Sequence, residues 1–122
     1  MSKISSYKDL LIWQKGIALV KLIYQVCERL PKEEIYGLQN QMKRAAISIP
    51  SNIAEGYGRK YTKNYVQFLK IARGSLLELE TQLIITKELN LIGIDIFNRV
   101  EECITEENKM LNAFIKSISK EK

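Results

Sequence analysis

"ISIPSNIAEGYGRK", residues 47–60, decides how this chain is to be read. It packs a proline, an asparagine, a glutamate, two glycines and an Arg-Lys pair into one short segment. It can be a catalytic loop, a phosphate-binding turn, or a helix end bent by proline. The flanking residues favour the helix. Leu38, Met42, Ala45, Ile49 and Ile53 recur at helical spacing, so one apolar stripe passes through Pro50 without interruption. Proline removes one intrahelical hydrogen bond and crowds the residue four back, so Pro50 is expected to kink a helix. The Ala46 carbonyl loses its usual partner. Ser48, Ser51 and Asn52 are placed to supply local hydrogen bonds instead. Asn52 and Glu55 fall at the stripe's edge. Gly56 and Gly58 would let the chain leave the helix at positive φ or pack closely on a neighbour. Pro50, Asn52, Glu55, Gly56 and Gly58 are therefore read as a structural motif. Glu55 and Arg59 form a favourable helical pair if the helix extends that far.

Outward from this segment the pattern stays helical. Upstream, Leu10, Trp13, Ile17, Val20, Tyr24 and Cys27 form a stripe that Ile12, Leu19, Ile23 and Leu30 widen. Ser6 and Asp9 make an imperfect capping box, with Tyr7 as a staple. Pro31 marks a boundary, and Glu33 and Glu34 suit the positive end of the next helix. Downstream, Thr62 is the expected N-cap of a helix carrying Tyr65, Leu69, Ala72, Leu76, Leu79 and Leu83 on one face. Asn90 is its expected C-terminal cap. A last stripe holds Ile96, Val100, Cys103 or Ile104, Leu111, Phe114 and Ile118. The expectation is one all-α domain over 1–122, an antiparallel up-down four-helix bundle with helices at about 9–29, 34–57, 62–89 and 93–118.

Composition excludes much chemistry. The chain has 122 residues and no histidine, which removes the commonest general base and zinc ligand. Cys27 and Cys103 lack metal-like spacing and are expected as reduced, packed thiols. No P-loop, dinucleotide fingerprint, HExxH, GxSxG or EF-hand loop occurs. The acidic pairs Glu78/Glu80, Glu101/Glu102 and Glu106/Glu107 are expected on a solvated face. A hydrolase or nuclease would have to hold Mg²⁺ on such carboxylates, with Glu78 or Glu80 as the test positions. No catalytic residue, metal ligand or cofactor is assigned. "MSKISSYKD" leads into no apolar run, and no run is long enough to span a membrane, so a cytoplasmic protein is expected.

Charge is uneven. The net formal charge is +5, but residues 1–42 carry +2, residues 43–74 carry +6 and residues 75–122 carry −3. The central excess comes from Lys43, Arg44, Arg59, Lys60, Lys63, Lys70 and Arg73 against Glu55 alone. These seven are the candidate nucleic-acid contacts, with Tyr57 and Tyr61 as rings for base stacking. An Arg44 pair with Glu78 or Glu80 would instead fix helix register. Trp13, Tyr24, Tyr65, Phe68 and Phe114 are read as core or subunit interface. Ile12, Leu19, Ile23, Ile47, Val66, Phe68, Leu77, Ile84 and Ile85 exceed what one inward face per helix needs, which points to a homo-oligomer. A structural or protein-interaction adaptor that binds no nucleic acid is the alternative.

Three segments carry a family resemblance: "YKDLLIWQKGIALVKLIY" (7–24), "YGLQNQMKRAAISIPSNIAEGYGR" (36–59) and "YVQFLKIARGSLLELETQLIITKELNLI" (65–92). With them the chain resembles the four-helix-bundle proteins encoded within intervening sequences of bacterial 23S ribosomal RNA genes, sometimes labelled ribosomal protein-like. The resemblance implies an up-down bundle that assembles as a homopentamer. The family is also similar to the accessory variability protein of diversity-generating retroelements, a basic, pentameric, nucleic-acid-binding partner of a reverse transcriptase. By that similarity Lys43, Arg44, Arg59, Lys60 and Lys63 become candidate RNA or DNA contacts. Asn52, Glu55, Gly56 and Arg59 match the family phrase without a catalytic role.

Overall fold

The computed structural model describes residues 4–119; the expected domain, 1–122, runs past them at both ends. Four α-helices make up the fold: α1 (Leu11–Cys27), α2 (Asn40–Tyr57), α3 (Thr62–Glu88) and α4 (Ile94–Ser119). Consecutive helices pack on one another, and α1 closes the ring against α4. Pairings along α2 and α3 run in opposite directions. Thr86 Oγ1 meets Met42 Sδ at 3.6 Å, the Ser48 and Ser75 hydroxyls bond at 2.8 Å, and Gly56 lies against Tyr65 and Phe68. The all-α bundle with sequential, up-down packing is as expected.

The helix ends show how local sequence sets the boundaries. A 3₁₀ turn over Tyr7–Asp9 precedes α1. Ser6 Oγ accepts from the Lys8 N–H at 2.9 Å, and Asp9 Oδ2 accepts from the Ser5 and Ser6 N–H groups at 2.9 and 3.1 Å. The capping box is present, but it caps this turn and not α1. The Tyr7 ring meets Trp13 edge-on at 5.3 Å. The second helix does not begin at residue 34. A 3₁₀ turn (Lys32–Glu34) and a wide π-turn (Ile35–Gln39) come first, with the Glu34 carboxylate accepting from the Leu38 N–H at 3.4 Å. Thr62 is the first residue of α3 and not its cap; the extended residue before it is Tyr61.

Asn90 ends α3 at φ 60°, the one positive φ outside glycine among the described residues. The Leu91 N–H donates to the Thr86 carbonyl at 3.0 Å and the Asn90 N–H to Lys87 at 2.9 Å. That double closure satisfies the last carbonyls, and asparagine tolerates the left-handed geometry it needs. Asn90→Ala is expected to cost about 1 kcal/mol and Asn90→Gly to be neutral or mildly stabilising. Urea unfolding of the two variants checks this.

The core is built from Leu19, Ile23, Met42, Ile49, Ile53, Leu69, Leu76, Leu79, Leu83, Ile104 and Leu111, all essentially inaccessible. Facing residues of α2 and α3 are those the stripes pick out. On α1 the buried face is Ile12, Gly16, Leu19, Ile23, Val26 and Cys27, so it centres on the residues expected to widen the stripe, with Cys27 alone from the stripe's central row. Trp13, Ile17 and Val20 are half-buried at its edge and Tyr24 is exposed. Gly16 lies on this face, and a Cβ there would stand 3.4 Å from the Pro50 Cβ, an ordinary van der Waals contact that seats the proline ring against α1. Of the surplus apolar residues, Ile12, Leu19 and Ile23 are core, while Ile47, Leu77, Ile84 and Ile85 stay exposed.

Candidate nucleic-acid interface

The motif around Pro50 lies within helix, and α2 continues through the proline. Pro50 is buried against Gly16 of α1. Asn52 Nδ2 donates to the Ser48 carbonyl at 2.8 Å and to Ser48 Oγ at 2.9 Å, so Asn52 and Ser48 supply the local polar contacts expected there. Gly56 is the close-contact glycine. A Cβ at this position would sit 2.8 Å from Phe68 Cβ and 3.1 Å from Tyr65 Cδ1. Gly58 has no such role and no positive φ; its conformation is helical at φ −79°.

Beyond Gly58 the α2–α3 turn presents Arg59, Lys60, Tyr61 and Lys63, all exposed. Arg59 is held twice. Its guanidinium donates to Glu55 Oε2 at 2.9 Å and lies 4.6 Å from the Phe68 ring centroid. Both partners of the ion pair are well exposed, so it contributes only about 0.3 kcal/mol. Lys60 lies 5.6 Å from the ring centre of Tyr61, which is 62% exposed. Tyr57 is not comparably free. It meets Tyr65 edge-on at 6.3 Å, and Tyr65 meets Phe114 at 5.8 Å, forming an aromatic chain that closes this end of the bundle. The Tyr65 hydroxyl is buried without a partner, and burial, then Tyr57, pushes its phenol up to about 12. Tyr61 is thus the exposed ring at this turn.

The other basic residues point elsewhere. Lys43 lies 4.7 Å from the Tyr24 ring centre, toward α1. Arg44 lines a cleft between α2 and α3 with Ser48, Ser75 and Glu78, and makes no ion pair with Glu78 or Glu80 among the described contacts. Lys70 is exposed on α3. Arg73 donates to Asn112 Oδ1 at 2.7 Å, toward α4. At 1.5 Å per residue, Lys43 and Arg44 lie about 20 Å from the α2–α3 turn. The structure gathers Arg59, Lys60 and Lys63 at one end and separates them from Lys43, Arg44 and Arg73.

The acidic pairs need a correction. Glu78, Glu102 and Glu106 are exposed, as expected, but Glu107 is fully buried and Glu80 and Glu101 are half-buried. Burial and then the neighbouring Glu80 push the Glu101 carboxyl up to about 7. Phe97, Val100, Ile104, Glu107, Leu111 and Ile115 share the buried face of α4, so Glu107 sits in the register of the core stripe. That register was the available signal: charge type alone assigned Glu107 to the surface. No group of three or more His, Cys, Asp or Glu among the described residues could hold a metal ion. Both cysteines are free thiols, and burial pushes the Cys27 thiol up. Among the described residues no helix is long and apolar enough to cross a membrane.

These features define a class: a small all-helical bundle whose distinctive segment serves packing. The family model described as "23S rRNA-intervening sequence protein" matches residues 8–113, and the chain belongs to that family. The fold is similar to the crystal structure of a protein of unknown function from the S23 ribosomal protein family of Bacteroides thetaiotaomicron VPI-5482. The TM-score is 0.81 at 22% identity, covering 87% of this chain and 99% of that one. No curated protein matches the chain.

Proposed function

We propose that this chain is a non-enzymatic, oligomeric, cytoplasmic bundle protein that binds RNA or DNA weakly, through charge. The observation that carries the reading is the +6 segment, residues 43–74, whose members Arg59, Lys60 and Lys63 stand exposed beside the open ring of Tyr61. Such a site attracts phosphate without reading sequence, and its affinity falls steeply with salt. The similarity that the family resemblance implies to the retroelement accessory protein supports the same reading. Retention of the unmodified chain on RNA or DNA at low salt, lost as salt rises, is the test; no binding at low salt overturns the reading.

The oligomer rests on α3. Ile71, Leu77, Ile84 and Ile85 are 39–48% exposed, on one side of the helix around Gly74 and Thr81. No atom lies within 4 Å of where a Gly74 Cβ would stand, so a neighbouring helix can approach closely. A pentamer is the assembly that the family resemblance implies. Leu77→Glu with Ile84→Glu is expected to reduce the particle to monomer with its helical signal intact, measured by light scattering and circular dichroism. The same face also fits the adaptor reading. That reading gains if the unmodified chain is monomeric and the two substitutions abolish a protein contact that charge reversal spares.

A further inference from the structure

α4 buries a carboxyl group that no neighbour satisfies. Glu107 is 1% exposed, and neither of its oxygens has a hydrogen-bond partner. Its Oε2 lies 3.5 Å from the point a Gly16 Cβ would occupy, and Pro50 Cβ and Cδ lie 3.4 and 3.5 Å from that same point. The carboxyl, the α1 backbone at Gly16 and the α2 ring at Pro50 therefore converge on one seam. Few charges face it. From α1 comes Lys15, whose ammonium is committed at 2.9 Å to Glu106. α2 presents Pro50, which does not titrate. On α3, Arg73 and Glu80 bracket the level of Glu107, with Arg73 bonded to Asn112 and Glu80 beside Glu101. α4 itself adds Glu106 and Cys103.

An ionised carboxylate in this setting is strongly disfavoured, because neither water nor a counter-charge solvates it. Pro50 also leaves the Ala46 carbonyl without the N–H that an α-helix normally supplies from four residues on. A neutral carboxylic acid carries the one hydrogen such an acceptor needs; a carboxylate carries none. We propose that Glu107 is a proton-dependent latch: protonated, it donates to the Ala46 carbonyl and closes the α1–α2–α4 seam, and ionised, it loosens that seam.

Burial raises this carboxyl from 4.5 to about 8, with Lys15 opposing and Glu106 adding to the rise. The folded chain therefore holds a proton that the unfolded chain has released. The stability this proton gives is full below about 4.5, falls as pH rises, and is gone above about 8. Inside that window each pH unit lowers the folded-to-unfolded ratio by up to about tenfold.

Denaturant unfolding of the full chain and of Glu107→Gln, from pH 5 to 9, isolates the effect from that of Glu101. The ratio for the native chain is expected to fall relative to the variant by up to about tenfold per pH unit as pH rises to about 8 and to level off above it; parallel profiles throughout overturn the latch. Carbon-13 NMR titration of the native chain reads Glu107 directly. A midpoint near 8 supports the latch and one near 4.5 overturns it, whether or not the variant folds. Trp13, the sole tryptophan, lines the outer groove of the same seam with Ile17, Ile47 and Pro50. Its emission is expected to shift red with the Glu107 midpoint; an emission that stays constant across that midpoint overturns the loosening. Pro50→Ala restores an N–H for Ala46 and is expected to lower the Glu107 midpoint; an unchanged midpoint overturns the Ala46 acceptor.

Discussion

Gly56→Ala lowers the stability of the bundle by about 2 kcal/mol, although alanine is the better helix former by about 1 kcal/mol. The reason is the approach of α3. The new methyl would stand 2.8 Å from Phe68 Cβ, 3.1 Å from Tyr65 Cδ1 and 3.3 Å from the Tyr65 carbonyl oxygen. Two of these atoms are fixed to the α3 backbone and cannot swing away, so the helices must separate. Separation disturbs the contacts that organise this end: the Arg59 guanidinium over Phe68 and the Tyr57–Tyr65–Phe114 chain. For a domain of this size the loss corresponds to a fall in Tm of roughly 5–10 °C. Gly58→Ala is the control. A Cβ there meets only the Glu55 carbonyl oxygen, at 3.6 Å, and the backbone is helical, so the change is expected to be neutral or slightly stabilising. Equal destabilisation by both variants would show that helix-end flexibility, not helix approach, is what Gly56 provides.

The contrast between these glycines shows where sequence stops being informative. "GYG" reads as a helix exit, yet neither glycine uses positive φ; among the described residues the left-handed position belongs to Asn90. The stripes of α2 and α3 are legible because most of their core positions are apolar; the exceptions on α3 are Gln82 and Thr86, buried beside and beyond the last leucine of the stripe. On α1 the core face contains Gly16, which no apolar count rewards, while Trp13, Ile17 and Val20 beside it score highly and draw the centre of the expected stripe onto themselves. On α4 the core face contains Glu107, which a charge count sends to the surface. In each case the element is legible and its face is legible in part: Ile12, Leu19, Ile23 and Cys27 on α1 and Val100, Ile104 and Leu111 on α4 are expected and buried, while Gly16 and Glu107 escape the pattern. Rotation is fixed by the partner: Gly16 faces the core where the Pro50 ring of α2 and the Glu107 carboxyl of α4 converge on it. Pro50 is legible as part of a helix because the apolar stripe passes through it, whereas what it packs against is not legible locally.

The basic residues show the same limit on a larger scale. Seven of them fall within 32 consecutive residues, but a helical hairpin folds that window back on itself, so only those next to the turn meet. Arg59→Glu, Lys60→Glu and Lys63→Glu together are expected to weaken RNA or DNA binding by about a hundredfold or more at 50 mM salt. The slope of log K against log salt should flatten by about 2 for a single strand, since each lost phosphate contact removes about 0.7. Lys43→Glu with Arg44→Glu, about 20 Å away along α2, is expected to change affinity by less than about threefold. Equal losses from the two sets would place nucleic acid along the whole helix instead of at the turn. Glu55 gives the sign of a further variant. Its carboxylate holds Arg59 at 2.9 Å and competes with phosphate for the guanidinium. Glu55→Gln removes the competing charge and keeps the helix, so binding should tighten and its salt slope should steepen. Weaker binding by this variant would mean that the ion pair positions Arg59 for the phosphate instead of withholding it. Filter binding across a salt series separates all of these outcomes.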